Sequence, residues 1–423
     1  MFDFIRKHLK KSSVVRSVLT LLTGTTIAQI IPLVISPLIT RLYTPENFGV
    51  LALFVSLTSI LGAISNARYE IAVVLPEDEK DSCHLIVLCL FIALVFSVIT
   101  WIAFKVFRVK ILVMLQNEEI AFWLNFVPLV VLIIGIDNPL RFYNIRKKLY
   151  SNIAKSSIAK AALLATVQIA AGFLLVGSTG LIIGRFVFRM AGSLVLAKPF
   201  FIDKKKYGKT RASEVIRMAR RYSRFFKYAV WARLANTTAL RLNNILIANL
   251  FSVTDIGFYS LTMRVLGRPD TLLARSIGQV FYQRATEEKH KHGHARRTFN
   301  NSLFALMIIG FVVYLALYFS VESIFPFVFG KKWQGAGTYA KILMPLFFIR
   351  FIVSPLSNTT NVFEKQHITL LWQTGLLLFT LLTYFIADWF NFDINQFLYL
   401  YTYLHVIHYT LLGIITFKIS RGT

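Results

Sequence analysis

Arg233, Thr237, Arg241 and Asn244 stand at i, i+4, i+8 and i+11 in a run that is otherwise apolar. Ser260, Arg264, Arg268, Thr271, Arg275 and Gln279 make a second such stripe. Helical periodicity puts each set on one face, so each helix would carry a single wet side. Guanidinium forks meet phosphate oxygens bidentately, so clustered arginines at membrane depth suit an anionic cargo, a phosphate or diphosphate. Ten basic residues fall inside apolar stretches: Lys160, Arg185, Arg189, Arg233, Arg241, Arg264, Arg268, Arg275, Lys341 and Arg350. At about 2.5–3.5 kcal/mol for each central charge, they cannot all face lipid. Asp137, Asp270 and Glu70 are the carboxylates placed to pair with some of them.

The elements that carry these residues read as membrane spans. The chain has 423 residues, 56% hydrophobic and 16% charged, with a mean hydropathy of +0.61, far above a soluble domain. Apolar stretches near the expected length of about 20 residues recur at 17–40, 49–67, 83–105, 119–140, 157–176, 179–197, 227–248, 255–282, 301–320, 338–360, 367–387 and 395–417. The expectation is an all-α integral membrane protein of about twelve transmembrane helices. The net charge is +27, and most Lys and Arg outside the spans fall in loops on the side of the termini. Both termini are therefore expected in the cytoplasm. The N-terminal MFDFIRKHLKKSSVVR reads as a retained basic amphipathic segment. The six tryptophans lie near span ends or in a short outer loop, as an interfacial belt would place them.

An internal repeat organises the spans. Leu42 to Leu53 (LYTPENFGVLAL) aligns without gaps on Leu250 to Leu261 (LFSVTDIGFYSL), and in both copies the motif joins the first span of a half to the second. Asn47 or Asp255 is expected to cap the helix that follows. A weaker echo pairs Asn138-Pro139-Leu140 with Ser354-Pro355-Leu356. Six spans per half keep one orientation, so two pseudo-symmetric six-helix lobes are expected around a central cleft: residues 1–198 and 227–423, with a basic cytoplasmic linker at 199–226. Shifted by the repeat offset, Thr25, Gln29 and Ser36 answer Arg233, Thr237 and Asn244 on a stripe that continues to Thr40 beside Arg41. Pro32, Pro37, Pro269 and Pro355 interrupt spans near these faces and are placed to bend them.

Other features are weaker signals. Gly208-Lys209-Thr210 lacks the upstream glycine and the strand of a phosphate loop. Cys83 and Cys89 read as small buried hydrophobes. The HKHGH run from His290 to His294 reads as a solvated loop, and His405 and His408 lie one turn apart in the last span, the spacing a proton relay uses. The longest outer loop, near Val321 to Gly337, holds Glu322 as its one carboxylate and no acid/base pair, which argues against a glycan polymerase or ligase. A cationic interior likewise argues against an antiporter for organic cations. No metal, cofactor or nucleic-acid partner is expected.

The run Gly24 to Gln29 (GTTIAQ), then Ser36 to Gly49 (SPLITRLYTPENFG), then Arg68-Tyr69-Glu70-Ile71-Ala72, resembles the polysaccharide flippases called Wzx. So do Gly257 to Leu261 (GFYSL) with Arg264 and Pro269, and Arg350 to Asn358 (RFIVSPLSN). The resemblance implies a MATE-like fold with a V-shaped pair of lobes and an arginine-lined cavity. It implies a cargo of polyprenyl-diphosphate-linked oligosaccharide, moved between leaflets of the bacterial cytoplasmic membrane for O-antigen, capsule or exopolysaccharide synthesis. Membrane lipid, a polysaccharide polymerase and other export-pathway proteins are the partners such a role implies. The expected substrate-binding set is Arg233, Arg241, Asn244, Arg264, Arg268, Arg275, Thr25, Gln29, Ser36, Arg41 and Arg350, with Glu70, Asp270 and Pro269 as coupling or gating positions. Arg268 and Arg275 match no family position and rest on the stripe alone.

Overall fold

The computed structural model describes residues 13–115, 119–174, 177–207 and 210–422, and among these every regular element is a helix. Internal contacts divide the chain into two compact units, Met1–Ile245 and Leu246–Thr423. The first unit begins with α1 (Ser13–Val34), α2 (Ser36–Leu42), α3 (Pro45–Gly62), α4 (Tyr69–Ala72), α5 (Glu79–Val106) and α6 (Arg108–Leu115). It continues with α7 (Glu119–Leu124), α8 (Val127–Arg146), α9 (Tyr150–Leu174), α10 (Thr179–Tyr207), α11 (Ala212–Arg221) and most of α12 (Val230–Leu250). The second holds α13 (Val253–His292), α14 (Arg296–Phe329), α15 (Gln334–Leu356), α16 (Thr359–Val362), α17 (Gln366–Trp389) and α18 (Ile394–Ser420).

Nine helical stretches among the described residues are long and apolar enough to cross a membrane. The three other expected spans are helical too, as α8, α12 and α13, and each carries charge or polar residues within it, including Asp137, Arg233, Arg241 and Arg264. Their polarity, rather than their length, sets them apart. The fourth span starts later than its hydropathy suggested, at Val127, because Pro128 fixes the first turn of α8 after the short α7. The first span is interrupted at Ile35, between α1 and α2, where Pro37 opens the second segment.

The repeat motif has a concrete function in local structure. Thr44 accepts from the Asn47 amide while the Asn47 side chain accepts from the Thr44 amide at 3.1 Å. Ser252 and Asp255 reproduce the same reciprocal capping box at the start of α13, at 3.1 and 3.0 Å. Both copies therefore satisfy two orphan amides where a span begins.

Within the expected linker at 199–226, α10 runs on to Tyr207 and α11 turns Met218 into a buried cluster with Tyr69, Cys83 and Leu196. Three sequence expectations are corrected. The outer loop near Val321 to Gly337 shrinks to Gly330 and a single 3₁₀ turn, since α14 continues to Phe329; Glu322 lies in that helix and pairs with Lys341 at 2.6 Å. The tryptophan belt also fails in part: Trp101, Trp231 and Trp389 are exposed, but Trp333 and Trp123 are buried in packing. Cys83 and Cys89 are buried thiols, as read. The HKHGH run is no extended loop, because α13 reaches His292 before Gly293 closes it in a left-handed conformation.

Candidate anion site in the first unit

The polar centre of the first unit is built by α8, α9 and α10. Asp137 on α8 accepts from Lys160 Nζ at 2.6 Å and from Ser193 Oγ at 3.0 Å, both on Oδ1. Ser193 also donates to the Arg189 carbonyl, and Ser156 donates to the Gly192 carbonyl at 3.0 Å, tying α9 to α10. The Lys160 stem crosses α10 at Gly192, where a Cβ would stand 1.6 Å from Lys160 Cε. Arg189 lies in electrostatic range of Asp137 and of Arg241 on α12, and Lys160 feels both Arg189 and Arg141. Lys160 and Arg189 thus share one carboxylate, and Arg141 and Arg241 each lie in range of one of these two cations. Asp137 cancels one charge and leaves the cluster cationic, which is what an anion site at membrane depth requires.

A second constellation lies where α3 hands over to α4. Ala67 and Arg68 both adopt left-handed backbone, with φ of 49° and 64°. Consecutive non-glycine residues there cost on the order of 1–3 kcal/mol each. The reward is a contact: Arg68 Nη1 donates to Glu70 Oε1 at 2.7 Å, while Glu70 Oε2 is buried without a hydrogen bond. Burial pushes the Glu70 carboxyl above its ordinary range, although Arg68 and Arg233 pull it down.

The expected site residues occupy varied positions. Arg241 is half-buried beside the Asp137 centre, and Arg233 is exposed but in electrostatic range of Glu70. Asn244 donates to Ser56 Oγ on α3 at 2.9 Å. Ser36 is buried and its hydroxyl has no hydrogen-bond partner; Thr25 is half-buried, and Gln29 and Arg41 are exposed. In the second unit Arg264 and Arg350 are half-buried, and the Arg350 guanidinium lies 5.2 Å from the Phe347 ring centroid. The side chains of Arg268, Pro269, Asp270 and Arg275 lie outside the described residues, as do Gly208 and Lys209. His405 and His408 are engaged with neighbours: His405 Nδ1 with the Tyr401 carbonyl at 2.8 Å and His408 Nε2 with the Trp372 carbonyl at 2.9 Å.

Sequence reasoning counted Lys160 and Arg189 among the buried cations but did not assign them to a site. The signal was present, since Arg185, Arg189 and Ser193 follow i, i+4, i+8 on α10 as clearly as the stripe on α12.

Solved structures share this fold. An inward-closed lipid II flippase MurJ aligns with a TM-score of 0.72 at 13% identity, covering 95% of this chain and 89% of that one. An inward-facing multidrug resistance MATE family transporter of the MOP superfamily aligns at 0.66 and 12% identity, covering 94% and 93%. A MOP superfamily transporter from Pyrococcus furiosus, described by a binding pocket of reversed polarity, aligns at 0.54 and 12% identity, covering 96% and 95%. No curated protein matches the sequence. The chain is thus a multi-pass membrane protein with the MATE-like transporter fold, and since residues 38–337 match the model of the family described as polysaccharide biosynthesis protein, it belongs to that family.

Proposed function

We propose that the protein is a flippase that carries undecaprenyl-diphosphate-linked oligosaccharide repeat units from the cytoplasmic to the outer leaflet of the bacterial cytoplasmic membrane by alternating access, serving O-antigen, capsule or exopolysaccharide synthesis. The observation that carries this reading is the surplus of cations around Asp137 within membrane-depth helices of a polysaccharide-biosynthesis family member. A diphosphate matches that charge, and an organic cation meets repulsion there.

The need for a protein follows from the cargo. Each sugar hydroxyl taken into hydrocarbon without a partner costs about 4–8 kcal/mol, so a short glycan faces a barrier that makes spontaneous crossing negligible. Arg189 and Arg241 hold the diphosphate in this reading, with Arg233, Arg264 and Arg350 as further contacts and Glu70 as a gating group. Residues 1–198 and 227–423 are the lobes that move, and both termini stay in the cytoplasm. Outward movement of negative charge is downhill by about 2.3 kcal/mol per charge per 100 mV in a cell with a negative interior.

The test is to delete the gene and locate the lipid-linked glycan by leaflet. Accumulation in the cytoplasmic leaflet, reversed by the wild-type protein and not by Arg189→Ala/Arg241→Ala, supports the assignment. Normal outer-leaflet glycan in the deletion strain overturns it.

A further inference from the structure

A second charged cluster lies where the start of α5 meets α11. Asp81 and His84 stand at i, i+3 on α5, and Glu214 stands in the first turn of α11. One ligand atom from each of the three lies within 4.8 Å of the other two. A carboxylate three residues before a histidine on one helix, completed by a carboxylate from another, is an arrangement helical proteins use to hold transition metals.

Two observations point to a cation beyond the acidic pair itself. His84 is 3% exposed, and its Nδ1 is buried with no hydrogen-bond partner, facing Asp81 Oδ1 at 3.7 Å. Ligand atoms on a tetrahedral metal, each about 2.0–2.2 Å from the ion, sit roughly 3.4 Å apart. The His84–Asp81 separation is close to that spacing without rearrangement. The remaining cation demand is met by Arg217, whose Nη2 reaches Asp81 Oδ1 at 2.8 Å and Glu214 Oε2 at 2.6 Å. The Arg217 side chain is more than half exposed, so it can swing out, whereas His84 cannot. Arg217 also leaves the imidazole unserved, since a guanidinium paired to two carboxylates gives Nδ1 no partner.

We propose that Asp81, His84 and Glu214 form a site for a divalent transition metal of the zinc class, which displaces Arg217 and staples the linker helix α11 to the start of α5. Mixed imidazole and carboxylate donors suit zinc and its neighbours and do not suit magnesium. Two carboxylates balance the ion's charge once Arg217 leaves. The site makes no use of the flippase reading and stands or falls without it.

The experiment uses the full-length protein purified in detergent, stripped with chelator and titrated with Zn²⁺ alone, read by calorimetry and by thermal unfolding. Wild type is expected to bind one ion and to gain thermal stability in a concentration-dependent way. Glu214→Gln, at a partly exposed position that folding tolerates, weakens binding by on the order of tenfold or more, as does His84→Ala. Arg217→Met gives the decisive sign: it lowers the metal-free midpoint, because two carboxylates lose their partner, yet tightens Zn²⁺ by removing the competitor. Mg²⁺ shifts nothing. The proposal is overturned if Arg217→Met leaves Zn²⁺ affinity unchanged or weaker, or if the Zn²⁺ response survives in both Glu214→Gln and His84→Ala, which would place the metal at the exposed histidines near His292.

Discussion

Lys160 reaches Asp137 only because residue 192 has no side chain: its Cε occupies the space where a Cβ on α10 would stand, 1.6 Å away. A sequence position without chemistry thus fixes the chemistry of another. Gly192→Ala should expel the lysine stem from α10, break the 2.6 Å ion pair and cost about 1–3 kcal/mol through overpacking. Thermal unfolding of the purified variant measures the loss, and an unchanged midpoint would mean the crossing is not as tight as described.

The pair itself separates stability from transport. Removing one partner of a buried ion pair costs about 3–5 kcal/mol, whereas replacing both by apolar groups is often neutral. Asp137→Ala should therefore unfold early, and Asp137→Leu/Lys160→Met should recover wild-type stability. If the proposed anion site is right, the double variant still loses glycan export, because Lys160 is gone and Arg189 has lost the nearby carboxylate whose charge acts on it. Full export by the stable double variant would remove this centre from the mechanism.

How much of this was legible beforehand depends on period. The spans were readable because apolar runs and loop charge need no tertiary information; the capping was readable in part, since Asn47 and Asp255 were expected as caps, whereas Thr44 and Ser252 are the N-caps and Asn47 and Asp255 answer them from the third helical position. The Asp137 centre was not readable as a unit: Asp137, Lys160 and Ser193 come from three helices, and their convergence depends on Gly192 letting a side chain through. Asn244 shows a second limit, since its place on a polar stripe says nothing about Ser56 on α3 accepting from it. The buried Trp333 shows the same limit, because burial against a neighbouring helix overrides a local pattern that suits an interface.

The two capping boxes should be energetically equivalent if the repeat reflects shared local physics. Thr44→Ala and Ser252→Ala each remove the side-chain acceptor of one helix N-terminus, at about 1 kcal/mol. Equal drops in denaturation midpoint are expected, with partial recovery in Thr44→Asp and Ser252→Asp.

Glu288 caps a helix to which it does not belong. It accepts from the amides of Arg297 and Thr298, at 2.9 and 2.7 Å, in the first turn of α14. Burial alone would raise its carboxyl, but these bonds, with His294 nearby, hold it below the ordinary range. A depressed carboxylate stabilises the fold above its unfolded value of about 4.3, and that contribution fades as pH falls through the lower folded value. Glu288→Gln should lose about 1 kcal/mol near neutral pH and converge with wild type in strong acid. A constant difference at all pH values would contradict the charge-based account.

Glu70 should behave in the reverse sense. Its pKa is raised, with burial outweighing the pull of Arg68 and Arg233, so the folded protein holds the proton more tightly than the unfolded chain does. The charged form carries a penalty above the folded pKa, and that penalty disappears as pH falls toward the unfolded value of about 4.3. Wild-type stability should therefore rise, relative to Glu70→Gln, as the medium is acidified through this window. In the proposed gating role, a charged Glu70 draws on Arg68 and Arg233, and protonation removes that pull. Midpoints for the two proteins across about pH 4–8 decide the matter, and parallel curves would mean that Glu70 stays ionised throughout and cannot serve as the switch.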